Sequence, residues 1–359
     1  MTKRLLLLNG LAALMVAVHH AAAYGFSAMF LWTDRYLPVE VPNYDQIGNF
    51  AYFATLTIRQ VTSFAIPAFL FVSGYFVAFA AKGSSTKIGW EAIFNRIKKL
   101  IVPFIFWTAI VFILLQRFTP TLEEILLMYY YIPLICQYYL LSPFLIPLAK
   151  NRPRLLLILS AVVQLGFQAF RHLDALGVSF PGLNLLIDLS PSWFFPGHLF
   201  FFVLGLVAGL HLQGFIAWLG RAKWFLLAAT LLLVPLSLLE YQVIANQTGK
   251  EWLGPAFATY ARTFFSVTMV LTFLAFDKVK IPFSPQLTRL GERSLGIYLV
   301  NTPAIYVAAR LMYQFTPWIL GSQLLYQGIL ILVGLGIPLV LMNLVARPPA
   351  IKVYRYVFG

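Results

Sequence analysis

The chain alternates long apolar runs with short polar punctuation. Ten runs lie near residues 5–30, 59–81, 100–116, 124–148, 154–171, 193–213, 224–244, 257–276, 290–312 and 321–346. A helix needs about 20 apolar residues to cross a bilayer, and most of these runs reach that length. The pattern therefore predicts an all-α integral membrane protein, a bundle of about ten transmembrane helices. No soluble domain fits between the runs and no fixed-period repeat is visible, so residues 1–359 read as one transmembrane domain.

Composition strengthens this picture. Sixty per cent of the 359 residues are hydrophobic and 11% are charged, against about a quarter charged in a soluble chain. The net charge of +14 would raise nucleic-acid binding in a soluble protein. Here nineteen of the 26 Lys and Arg fall on alternate span ends shared with the N-terminus, including Lys3, Arg4, Arg96, Lys98, Lys99, Arg293, Lys352 and Arg355. That bias predicts both termini in the cytoplasm and a lipid bilayer, not nucleic acid, as the basic partner. The run Ala21-Ala22-Ala23 resembles a signal-peptide cleavage site, but apolar character continues through Phe30, which favours a retained first span.

Titratable groups inside spans are costly and usually functional. Two of only five histidines, His19 and His20, sit together in the first span. A neutral imidazole can take a proton from an attacking hydroxyl and pass it on; the competing reading is a pair of interfacial hydrogen-bonders. Successive helical positions diverge by about 100°, so the two rings cannot face one cavity equally. Arg59 opens the second span near the same depth, beside Gln60, Thr62 and Ser63. It suits an acceptor or a developing oxyanion, or an interfacial anchor.

Arg96, Lys98 and Lys99 form a cationic ledge before the third span. It suits the phosphates of a nucleotide-bearing donor such as coenzyme A or anionic lipid headgroups. Tyr130 in the fourth span and Glu240 in the seventh are further polar candidates, Glu240 as a partner for a histidine or an arginine. The single cysteine, Cys136, forbids a disulfide within the chain. Neither a His-Glu-x-x-His sequence nor a P-loop occurs, and no metal site is expected.

These segments, taken in order, resemble the acyltransferase-3 family of bacterial membrane O-acyltransferases. The first span resembles the family opening that ends in histidine, with His20 at the histidine position. Ile66-Pro67-Ala68-Phe69-Leu70-Phe71-Val72-Ser73-Gly74-Tyr75 is similar to its Val-Pro-x-Phe-Phe-x-x-Ser-Gly-Tyr motif, with Arg59 at an upstream arginine. Arg96-Ile97-Lys98-Lys99-Leu100-Ile101-Val102-Pro103 and Ser294-Leu295-Gly296-Ile297-Tyr298-Leu299 match a basic stretch and a late Ser-x-x-Ile-Tyr-Leu motif. The likeness spans essentially the whole chain.

The resemblance implies transfer of an acyl group, often acetyl from acetyl-CoA, to a hydroxyl of an envelope glycan or lipid-linked glycan at the bacterial inner membrane. Acyl-CoA is then a donor substrate, with no permanently bound cofactor. His20 becomes the expected base, Arg59 the acceptor-orienting or charge-stabilising group, and Arg96, Lys98 and Lys99 the donor-binding set. His19, Asn9, Glu240, Tyr130 and Asn301 are expected in support. Two positions depart from the family pattern: Asn9 replaces an arginine eleven residues before His20, and Asn301 replaces a late histidine. Those losses keep a second expectation open, a glycan or lipid transporter on the same fold.

Overall fold

A computed structural model of the chain describes residues 1–83, 89–248 and 259–359. No strand occurs among them, as a bilayer demands: without water, backbone groups must be paired within each helix. The helices of the long apolar stretches, with α2 running on into α3, are α1 (Thr2–Phe26), α2 (Phe50–Thr62), α3 (Ala65–Gly83), α4 (Trp90–Leu114), α6 (Tyr131–Asn151), α7 (Pro153–Ala175), α10 (Leu212–Thr248), α13 (Ser294–Phe315) and α14 (Gln323–Val345). Shorter ones are α5 (Leu122–Met128), α8 (Leu183–Asp188), α9 (Leu199–Leu210), α11 (Tyr260–Ala275), α12 (Ser284–Glu292) and α15 (Ile351–Val357).

Counting α2 with α3 as one, eight described helical stretches are long and apolar enough to cross a membrane. The expected runs at 193–213 and 257–276 correspond to shorter apolar helices, Phe195–Leu210 and Tyr260–Ala275. Each spans about 24 Å at 1.5 Å per residue, less than the ~30 Å hydrocarbon core. The start of the second of these runs lies outside the described residues.

Three boundaries differ from the hydropathy reading, each for a local reason. The second run, expected from residue 59, begins earlier as a helix, because Asn49 accepts from Tyr52 N at 2.7 Å and starts α2 at Phe50. The expected run 124–148 breaks at Tyr129–Tyr130. A capping box starts α5, with Thr121 and Glu124 exchanging bonds of 2.8 and 3.3 Å, and α6 begins at Tyr131. The basic stretch expected to precede the third span is itself helical, since α4 begins at Trp90. Gly83 ends α3, and Ser84 and Ser85 lie outside the described residues.

Backbone proximity, not apolar area, drives the central packing, as in other bilayer helices. A Cβ on Gly74 would sit 2.1 Å from Phe202 O, and one on Gly205 would sit 1.9 Å from Phe71 O. Helices α3 and α9 thus touch main chain to main chain. Large apolar side chains such as Ile105, Leu231 and Leu332 point outward, where lipid tails replace water. Both chain ends lie at one end of the bundle. Asn9 of α1 bonds Ser294, and the adjacent Leu295 meets Gly359, which also abuts Lys99 O.

Candidate functional site

The two histidines stand about 27 Å along α1 from its start, each tied by Nδ1 to a different helix. His20 Nδ1 lies 2.7 Å from Asn301 Oδ1 on α13. Asn301 Nδ2 donates to Gly334 O of α14 at 2.9 Å, so the amide orientation is set and only its oxygen faces the imidazole. His20 therefore carries its proton on Nδ1 and leaves Nε2 as a base. His19 Nδ1 lies 2.9 Å from Thr62 Oγ1, and the Thr62 hydroxyl donates to Ile58 O at 2.8 Å. By the same logic His19 also donates from Nδ1.

Arg59 of α2 lies over the Phe26 ring, its guanidinium carbon 5.7 Å from the centroid. Its charge is within electrostatic reach of both imidazoles. His19, not His20, shares a cavity wall with Arg59, Gln60, Tyr241 and Arg262. That cavity measures about 10 Å³, close to the space one water needs. The Gln60 Oε1 atom is buried without a protein partner, which suits such a water. Arg59 thus lies near the histidines, as its depth along the sequence predicts, and the small cavity beside it is lined by His19.

Arg262 on α11 also lines a second cavity of about 80 Å³, enclosed with Tyr130, Arg171, His198 and Gln168 among others. Glu240 explains how Arg262 is presented. Instead of pairing with a histidine or an arginine side chain, its carboxylate accepts from Tyr260 N at 2.8 Å and Ala261 N at 2.7 Å. Those amides open α11, where a helix N-terminus favours negative charge. Glu240 holds the helix start, and Arg262 follows one residue later.

The donor candidates form a separate group at the end of the bundle that carries both termini. Arg96 lies 5.9 Å from the centroid of Tyr139, whereas Lys98 and Lys99 are exposed. Tyr139 and Tyr131 both approach Ser73 through their hydroxyls, Tyr131 at 3.3 Å. Tyr131 in turn packs edge-on against Tyr298 at 5.6 Å between centroids. Tyr298 is one helical turn before Asn301, so polar aromatic groups lead from Arg96 to the residue that holds His20.

Asn9 lies outside both clusters. It donates to Gly291 O at 3.0 Å and to Ser294 Oγ at 2.9 Å, tying α1 to α12 and α13. The nearby Arg4 guanidinium donates to Phe273 O in the last turn of α11, to Phe276 O at its C-cap and to Val279 O beyond it. No group of three His, Cys, Asp or Glu suited to a metal ion occurs among the described residues.

Two arginines of these cavities, Arg171 and Arg262, escaped the sequence reading as site members. An arginine within an apolar run is a usable signal, and Arg262 had one. Its proximity to His19 depends on how α11 packs, which local pattern does not encode.

The acyltransferase-3 family, whose domain is described as an acyltransferase domain, matches this chain over residues 4–343. No curated protein matches it, and no solved structure does. The family match takes in both histidines, Arg59, the Arg96 ledge and Asn301, nearly the whole bundle. The chain is a multi-pass membrane protein belonging to the acyltransferase-3 family, and its activity is that of an acyltransferase acting on groups other than aminoacyl.

Proposed function

We propose that the protein moves an acetyl group from acetyl-CoA to a sugar hydroxyl of an envelope glycan or lipid-linked glycan, at the bacterial cytoplasmic membrane. The observation that carries this reading is the Asn301-held His20, which presents an unprotonated Nε2 within a family of acyltransferases. In the proposed step His20 Nε2 takes the acceptor hydroxyl proton as the oxygen attacks the thioester carbon. The developing oxyanion is stabilised by Arg59. The C–S bond then breaks, the ester C–O bond remains, and the proton passes from His20 to the departing CoA thiolate.

The two ends of the bundle support opposite roles. The basic end, with Arg96, Lys98 and Lys99, suits the donor phosphates on the cytoplasmic side. The Ser73, Tyr131 and Tyr298 path offers hydroxyls and aromatic faces along which a pantetheine arm could extend. The other end supplies the cavities where an acceptor would enter. His19 assists by holding the α2 end of the site through Thr62.

The test is transfer from radiolabelled acetyl-CoA in membranes containing the full chain, with an envelope-glycan fraction as acceptor. Label should appear in the glycan, alkali-labile as an ester. Movement of glycan across the membrane with no label transferred would defeat the proposal and leave the transporter reading.

A further inference from the structure

The 80 Å³ cavity between α7 and α11 is larger than the histidine site and is unused by the reaction above. Two arginines line it, Arg171 from α7 and Arg262 from α11. Arg171 is oriented by Ser190 O and Ser192 Oγ, so its charge is fixed against the wall. The described lining residues include no Asp or Glu. The nearby Glu240 has both carboxylate oxygens engaged by backbone amides. Asp174 and Asp188 are exposed and lie outside the lining.

A second, independent observation concerns hydroxyls. Ser63 Oγ and Thr259 Oγ1 both line this cavity, are 9% and 1% exposed as residues, and have no protein partner. His198 Nδ1 is also buried there without one. Polar atoms left unpaired in a buried site are unfavourable unless water or a ligand pairs with them. Two guanidinium groups and two hydroxyls are a donor-rich set, whose complement is an acceptor-rich anion. The volume corresponds to roughly half a dozen waters, enough for one acidic substituent and adjoining sugar atoms.

We propose that this cavity seats an anionic oxygen group of the acyl acceptor, a carboxylate or a phosphate, between Arg171 and Arg262. The proposal rests on the acyl-transfer reading for its identification of the ligand as acceptor. Because Arg262 also borders the small cavity with His19 and Arg59, an acceptor held here would direct its neighbouring hydroxyls toward the His19 and Arg59 end of the site. The acceptor class is therefore an acidic glycan, not a neutral one.

The test uses the full chain in detergent without any acyl donor and reads ligand-induced thermal stabilisation at constant ionic strength. The probes are glucuronate, glucose 1-phosphate and glucose. Saturable stabilisation by glucuronate, by glucose 1-phosphate or by both, with none from glucose, supports the site; the responding probe identifies carboxylate or phosphate. Arg171→Gln should abolish the response. Since Arg171 also holds the 190–192 segment, Ser63→Ala and Thr259→Val provide variants that remove only unpartnered hydroxyls. Each should weaken the dissociation constant several-fold at unchanged unliganded Tm. Equal response to all three probes, or undiminished binding in these variants, overturns the proposal. Saturable anion binding in a protein that transfers no acetyl group would retain the site and refute the reaction.

Discussion

His20 donates its Nδ1 proton to Asn301 Oδ1 over 2.7 Å, and Asn301 is itself fixed by donating to Gly334 O. The arrangement uses three helices to select one tautomer. Reversing the amide would set its NH2 against a ring nitrogen and its oxygen against a carbonyl, so the network has one low-energy assignment. An asparagine can thereby orient a base without carrying charge.

Removing that orientation should cost rate more than binding. Asn301→Ala is expected to lower kcat by roughly 10–100-fold, less than loss of the base itself, with KM for acetyl-CoA nearly unchanged. Steady-state kinetics on folded, quantified protein provide the check. A variant with normal kcat would remove Asn301 from the positioning role.

Glu240 should act through α11. Replacing it with Ala leaves the Tyr260 and Ala261 amides unpaired and is expected to cost about 1–2 kcal/mol, seen as a lowered Tm in detergent. Glu240→Gln keeps one acceptor oxygen and should fall between. Because Arg262 follows the cap, Glu240→Ala should also raise the acceptor KM; an unchanged Tm and KM together would speak against the linkage.

The α3–α9 contact predicts a contrast between two glycine substitutions. Gly205→Ala places a Cβ against Phe71 O and should destabilise by about 1–3 kcal/mol, as over-packing does. In α7, Gly166 has nothing within 4 Å of such a Cβ. Gly166→Ala should be neutral or stabilising by up to ~1 kcal/mol. Thermal unfolding of the two variants side by side decides the matter, and similar losses would contradict the packing account.

The long apolar runs were legible because the bilayer imposes their length, whatever the packing partners. Their interruptions were not. The break at Tyr129–Tyr130 lies inside an unbroken apolar run, and the early start of α2 depends on one asparagine cap. At the candidate site, the motifs placed His20, Arg59 and Asn301 by register, and the structure brings His20 and Asn301 into contact. Depth along a helix follows from counting residues, but azimuth and neighbours do not. That is why the sharing of the Arg59 cavity by His19 and Arg262 was not visible, and why Glu240 was expected beside a side chain when it caps a helix.

The donor ledge should divide unequally. Arg96 faces Tyr139 at the start of the path toward Tyr298, while Lys98 and Lys99 are exposed. Arg96→Ala is expected to raise KM for acetyl-CoA on the order of 10-fold, in line with loss of one charge-assisted contact. Single Lys98→Ala and Lys99→Ala changes should have smaller, salt-sensitive effects. Acetyl-CoA titrations at two ionic strengths measure this, and equal effects at all three positions would indicate general surface attraction.

The central claim is that His20 is the base, and a direct comparison of the adjacent histidines tests it. Transfer of radiolabel from acetyl-CoA to acceptor should be measured for wild type, His19→Ala and His20→Ala, each matched for folded protein in membranes. The account predicts a loss of about 10²–10⁴-fold in rate for His20→Ala and a milder one for His19→Ala, whose ring bonds Thr62. A His20→Ala protein that transfers acetyl at near wild-type rate, or a greater loss from His19→Ala, would contradict it.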